Sequence, residues 1–99
     1  QEKTGFSSVY DRIDLPLLNM GVRSRLLEEL INNPVTEVAG QKVLDCITVD
    51  GYKFRLADGR WLLIRFSGTE PVLRLYCEAT DMQKVKQTLE WAKNWANSI

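Results

Sequence analysis

The chain has 99 residues, enough for one domain with a modest core and too few for two. Hydrophobic residues make up 44% and charged residues 26%; Lys+Arg and Asp+Glu balance at 13 each, so no bulk field recruits nucleic acid or an anionic membrane. There is no histidine, which removes the usual general base and the commonest metal ligand together. An anion site in this chain has to be built by geometry.

The chain opens on Gln1 rather than Met, as expected of a piece cut from a longer polypeptide. No apolar run reaches membrane-spanning length, and no signal-peptide pattern is present. Residues 1–20 show no clean period. Gly5, Ser7 and Ser8 read as a linker, and Tyr10, Ile13, Leu15, Leu17 and Leu18 as an extended strap that docks on a core. Residues 1–20 are therefore assigned to a strap from a preceding domain and 21–99 to the domain proper.

From Val22 the apolar residues fall at Val22, Leu26, Leu27, Leu30 and Ile31, one stripe at helical spacing. Asn32 and Asn33 weaken this helix and Pro34 ends it. Nothing on it reads as chemical.

The period then changes to two. Lys42 to Val49 is strand-like, and Asp50-Gly51 is a favoured type I′ hairpin turn. Tyr52, Phe54 and Leu56 alternate with Lys53 and Arg55, and Asp58-Gly59 gives a second hairpin signal. Trp61 to Phe66 is nearly all apolar, as in a central strand covered on both faces. Pro71 is tolerable at a strand start, after which Leu73, Leu75, Cys77 and Ala79 face one way and Arg74, Tyr76 and Glu78 the other. Cys46 and Cys77 lie in apolar strands and read as buried free thiols of a reducing compartment.

The last element has the strongest helix start: Thr80 with Gln83 forms a capping box, and Asp81 suits the positive end of the dipole. Met82, Val85, Leu89, Ala92, Ala96 and Ile99 form its buried stripe, flanked by Trp91 and Trp95. The prediction is an α+β domain of order α-β-β-β-β-α, with a four-stranded antiparallel sheet and two helices on one face.

One segment departs from packing logic. Arg65-Phe66-Ser67-Gly68-Thr69-Glu70-Pro71-Val72-Leu73-Arg74 offers two hydroxyls, a glycine and an arginine at each shoulder, more than a hairpin turn requires. Ser67 and Thr69 can each donate an O–H to a phosphate, and Arg65 can present a planar fork to two of its oxygens. Gly68 allows close backbone approach or a positive φ, and successive N–H groups in such a turn form a concave nest for anions. Glu70 would repel an anion, so it is expected to turn away and brace Arg65 or Arg74. A nucleophilic serine is disfavoured, since no histidine or nearby lysine can act as base. Asp45, Asp50 and Asp58 have no metal-ligand spacing, so no metal ligand is assigned.

Strand parity separates the two arginines. In a simple hairpin closed by Phe66 and Val72, Leu73 lies opposite Arg65 and Arg74 opposite Ile64. Unless a bulge intervenes, the arginines then point to opposite faces and do not both reach one anion; Arg65 directly abuts the loop, and Arg74 is expected to pair with Glu70 or another carboxylate.

The pattern Arg-x-Ser-Gly-Thr-Glu-Pro-x-x-Arg resembles the C-terminal signature of the α-phosphohexomutase family, which includes phosphoglucomutase/phosphomannomutase and phosphoglucosamine mutase. The surrounding order of elements resembles that family's fourth domain, a TATA-binding-protein-like α+β unit. The resemblance implies that Arg65, Ser67, Gly68 and Thr69 bind the substrate phosphate, with Glu70 and Arg74 supporting. It implies a cytoplasmic parent that moves a phosphoryl group between positions 1 and 6 of a hexose through a bisphosphate. The implied donor is a phosphoserine beside Mg²⁺, both held by preceding domains. The partners implied are a hexose phosphate and those domains, with no nucleic acid and no membrane. This chain would then hold no catalytic residue and no cofactor, and be inactive alone. The alternative is a free-standing anion or nucleic-acid binding module using Tyr52 and Phe54 on an exposed sheet face.

Overall fold

From Gln41 to Ala79 short alternating runs are separated by turns, and in a computed structural model of the chain these runs are strands. The structure describes residues 8–49 and 51–99; the linker reading of Gly5 and Ser7 and the turn reading of Asp50 lie outside them. The elements in order are β1 (Val9–Pro16), α1 (Met20–Asn32), β2 (Glu37–Val38), β3 (Gln41–Ile47), β4 (Tyr52–Leu56), β5 (Trp61–Phe66), β6 (Val72–Ala79) and α2 (Met82–Asn97). The strands form one six-stranded sheet in the order β1-β6-β5-β4-β3-β2, with every neighbouring pair antiparallel.

The α+β class holds, but the strand count is six rather than four. The two additional strands lie outside the central run. β1 pairs with β6 along its whole length, from Val9 opposite Ala79 to Pro16 opposite Val72. Its alternation of Ile13, Leu15 and Leu17 with Arg12, Asp14 and Pro16 was masked by the polar Tyr10-Asp11-Arg12 stretch before it. β2 has only two residues, too short to carry a period.

Alternation decides which face is covered. Phe54 and Leu56 of β4, Leu62 and Ile64 of β5, and Leu73, Leu75, Cys77 and Ala79 of β6 are buried on one side of the sheet. They join Leu26 and Leu30 of α1 and Val85, Leu89, Ala92 and Ala96 of α2 in one core cluster. Each wholly buried Leu or Ile stabilises the fold by roughly 1.5–3 kcal/mol. Phe54 is 3% exposed, so the alternative reading of Tyr52 and Phe54 as a stacking platform is corrected: both side chains pack toward the core.

The helix starts follow side-chain chemistry. Asn19 caps α1, its Oδ1 accepting the Val22 N–H at 3.1 Å. The cap of α2 is Asp81 rather than Thr80: its Oδ1 accepts the Lys84 N–H at 2.8 Å. Thr80 lies one residue outside and its hydroxyl accepts the Lys84 ammonium at 3.1 Å. Among the described residues no helix is long and apolar enough to cross a membrane.

Both cysteines are free. Cys77 is buried, which pushes its thiol up to about 11; Cys46 is exposed, contrary to the expectation of two buried thiols. They sit on β6 and β3 with β5 and β4 between them. Three strand spacings of about 4.8 Å put them well beyond disulfide reach.

Candidate functional site

The loop from Ser67 to Pro71 is carried between β5 and β6, whose middles are the best-buried part of the sheet. The ladder does not close where a simple hairpin reading puts it. The last strand pair is Phe66 opposite Leu73, and the Ser67 N–H donates to the Val72 carbonyl at 3.2 Å. The loop is therefore one residue longer than the parity argument assumed, and Arg65 lies directly opposite Arg74. The expectation that the two arginines face opposite ways is overturned. They share the face that the helices leave uncovered.

Next to them on the same face stands Asp14 of β1, opposite Arg74. Its Oδ1 lies 3.9 Å from the Arg74 Nε, so the carboxylate that meets Arg74 is Asp14 rather than Glu70. Both groups are substantially exposed, and such a pair contributes little. Among the described residues Arg65 meets no carboxylate, and the side chain of Glu70 braces neither arginine. Two like charges at directly opposed sheet positions repel. The row Asp14–Arg74–Arg65 thus carries an excess of positive charge at the foot of the loop.

Within the loop the Ser67 Oγ accepts the N–H groups of Thr69 at 3.4 Å and Glu70 at 3.2 Å, a turn made by the hydroxyl. Among the described residues the Ser67 O–H has no acceptor and can donate outward. Glu70 closes the turn through its carbonyl, which accepts the Val72 N–H at 2.8 Å, and Pro71 is tied to the end of β1 by the Leu17 N–H at 2.6 Å. Gly68, Thr69 and Glu70 are exposed. Gly68 does not take a positive φ, and a β-carbon there would meet no atom within 4 Å. Neither backbone conformation nor packing among the described residues calls for glycine at this position.

Two residues that the sequence did not connect with the loop lie against it or its flanking strand. The Arg23 Nε on α1 donates to the Ser67 carbonyl at 2.7 Å, and its guanidinium carbon lies 5.7 Å from the centre of the Phe66 ring. Gly51 packs against the other side of β5. A β-carbon there would lie 2.7 Å from the Ile64 carbonyl oxygen and 3.2 Å from the Arg65 Cα, and its φ is +136°. The Asp-Gly turn signal marked Gly51 as a turn residue but gave no hint of what it touches. Nothing in the sequence marks Arg23, which is 44 residues from its partner.

The model of the family described as phosphoglucomutase/phosphomannomutase, C-terminal domain, matches residues 25–91 and so takes in the whole loop. The chain belongs to this family. A phosphoglucomutase/phosphomannomutase of Thermococcus kodakarensis is 43% identical over 56 residues, covering 57% of this chain and 12% of that protein. A phosphoglucosamine/phosphogalactosamine mutase of Sulfurisphaera tokodaii is 31% identical over 83 residues, covering 81% of this chain and 18% of that protein. A phosphopentomutase of Thermococcus kodakarensis is 31% identical over 74 residues, covering 72% and 16%. The chain spans less than a fifth of the length of each. Membership of the phosphoglucomutase/phosphomannomutase C-terminal family makes it a phosphosugar mutase domain.

Proposed function

We propose that this domain grips the phosphoryl group of a sugar phosphate inside a larger phosphosugar mutase, with Arg65, Ser67, Gly68 and Thr69 as its ligands. The observation that carries the reading is the like-charged pair Arg65 and Arg74, side by side on the uncovered face beside a hydroxyl-bearing loop. A dianion placed there relieves the repulsion and receives charge-assisted hydrogen bonds from planar guanidinium forks. The shared face supports reading Arg74 as a second arm of the same clamp, with Asp14 beside it.

Gly68 supports the same reading. Its lack of a side chain serves nothing inside the chain, so the space beside it belongs to a visitor. The names of the relatives point the same way. They differ in the sugar, hexose, pentose or amino sugar, while the phosphoryl group is common to all. A domain shared among them is suited to reading the phosphate and leaving the sugar to other parts of the protein.

In the parent enzyme the reaction is a phosphoryl shift between two positions of the sugar, and this domain supplies binding and orientation only. Among the described residues no three carboxylate, thiol or imidazole groups gather to hold a metal ion, and in this reading the parent's Mg²⁺ is held by other domains. The chain alone is expected to turn over no hexose phosphate, because positioning without a donor does not make a phosphoryl-transfer site.

The test is a titration of the ¹⁵N-labelled chain with glucose 1-phosphate, following amide shifts. Each charged hydrogen bond contributes roughly 1.5–3 kcal/mol and association costs at least about 4 kcal/mol, so a Kd on the order of 1 mM is expected. The shifts should cluster at 65–70 and weaken with salt. Arg65→Lys and Arg74→Lys should each weaken binding, since both lose the fork on the shared face. Shifts scattered over the surface, or none at the loop, would defeat the reading.

A further inference from the structure

We propose that Arg23 is a positioning residue for the anion site: by holding the Ser67 carbonyl toward α1, it aims the Gly68 N–H away from α1 and at the bound phosphate. This rests on the phosphate-binding reading above.

The peptide between Ser67 and Gly68 is a single planar trans unit, since the described chain has no cis bond. In such a unit the C=O and the N–H point in opposite directions. Whatever fixes one therefore fixes the other. The Arg23 Nε fixes the carbonyl at 2.7 Å from the first turn of α1. Stacking of the same guanidinium over Phe66 at 5.7 Å restrains it at a second point, on the residue just before the loop.

The N–H groups of the loop show which one is left for a ligand. Ser67 donates to Val72, and Thr69 and Glu70 both donate to the Ser67 hydroxyl. Among the described residues the Gly68 N–H has no acceptor. Gly68 also has open space where a β-carbon would stand, with no atom within 4 Å. The free donor and the open space belong to the same residue, and the N–H points to the side of the peptide opposite its carbonyl and Arg23. A cation on the carbonyl also polarises the amide, which strengthens its N–H as a donor.

Arg23 thus completes an arrangement in which the loop is held from behind by one arginine and faces two others. Arg23 itself touches no substrate in this arrangement. It acts through the peptide.

The experiment uses the ¹⁵N-labelled chain titrated separately with inorganic phosphate and with glucose 1-phosphate, reading the Gly68 amide. In the wild type that amide should move on saturation with either probe. Arg23→Gln should weaken both probes roughly tenfold and reduce the Gly68 shift at saturation. The amides of Leu62 and Leu75 in the core should stay where they were. Arg23→Lys keeps a cation in reach of the carbonyl and should restore part of both quantities; it also decides the matter if Arg23→Gln fails to fold. Wild-type affinity together with an undiminished Gly68 shift in the variants would overturn the proposal while leaving the binding site intact. A wild-type chain whose loop amides ignore both probes would remove the phosphate-binding reading itself, and this inference with it.

Discussion

β5 has an arginine near each end, and the two live in opposite circumstances. Arg60, just before the strand, is 5% exposed and fully engaged by its own chain. Its Nη2 donates to the Asp58 Oδ2 at 2.6 Å and its Nε to both Asp58 oxygens, while Nη1 donates to the Thr88 hydroxyl at 3.0 Å. Arg65, at the other end, is exposed and faces another arginine. The same side chain is a structural bolt at one end and an open hand at the other. What distinguishes them is whether the described residues supply a counter-charge. An arginine whose fork is filled from within holds the fold; one left beside a like charge is kept for something outside.

The sharpest way to break this comparison is to remove each arginine and measure stability by chemical denaturation. Arg60→Ala deprives the partly exposed Asp58 carboxylate and the buried Thr88 hydroxyl of their partner and should cost about 2 kcal/mol. Arg65→Ala removes a repulsive neighbour and should change stability by no more than about 0.5 kcal/mol, while abolishing measurable phosphate binding. Equal costs would mean that Arg65 is also a bolt.

The two glycines beside Arg65 extend the contrast at smaller scale. Gly51→Ala puts a methyl against the β5 backbone at a strained φ and should destabilise by more than about 1 kcal/mol. Gly68→Ala meets nothing inside the chain, so stability should hold within about 0.5 kcal/mol while phosphate affinity falls. Denaturation and titration of the same two variants separate fold from site.

The smallest effect is in pH. Hydrogen bonds from Arg60 hold the Asp58 carboxyl below its ordinary value of 3.8. A carboxyl with a depressed folded pKa contributes stability that is fully present above its unfolded value and is lost as pH falls through the folded one. The stability gap between wild type and Arg60→Ala should therefore be steady near neutrality and narrow below about pH 4. A gap that stayed constant down to pH 2 would show that the pair is not what holds this corner.

Much of this was legible in the sequence because it is local. The stripe of α1 through Leu26 and Leu30, the alternation of β4 and β6 and the loop motif each repeat or cluster within a few residues, whereas Ile31 is exposed and β5, expected to be covered on both faces, is buried on one. What was not legible depends on closure across distance. Whether Arg65 and Arg74 share a face turns on a single residue of loop length, which Pro71 and Val72 do not announce. β1 finds its partner some seventy positions away, and Arg23 reaches Ser67 across the whole β2–β5 stretch. The cap at Asp81 rather than Thr80 is a one-residue ambiguity of another kind, since both side chains can accept a helix-start N–H.

The pairing of β1 with β6 also bears on the order in which the domain comes together. β3 to β6 can zip as successive hairpins with short loops, whereas β1 must close a loop of about sixty residues before any of its ladder forms. It is the natural last arrival among the long strands. Because the Leu17 N–H is tied to the Pro71 carbonyl, and Asp14 stands beside Arg74, the loop receives two of its supports only with that late strand. Amide exchange at Leu17 should then report the readiness of the anion site more faithfully than exchange anywhere in the core, making assembly of the sheet edge the final step in arming the loop.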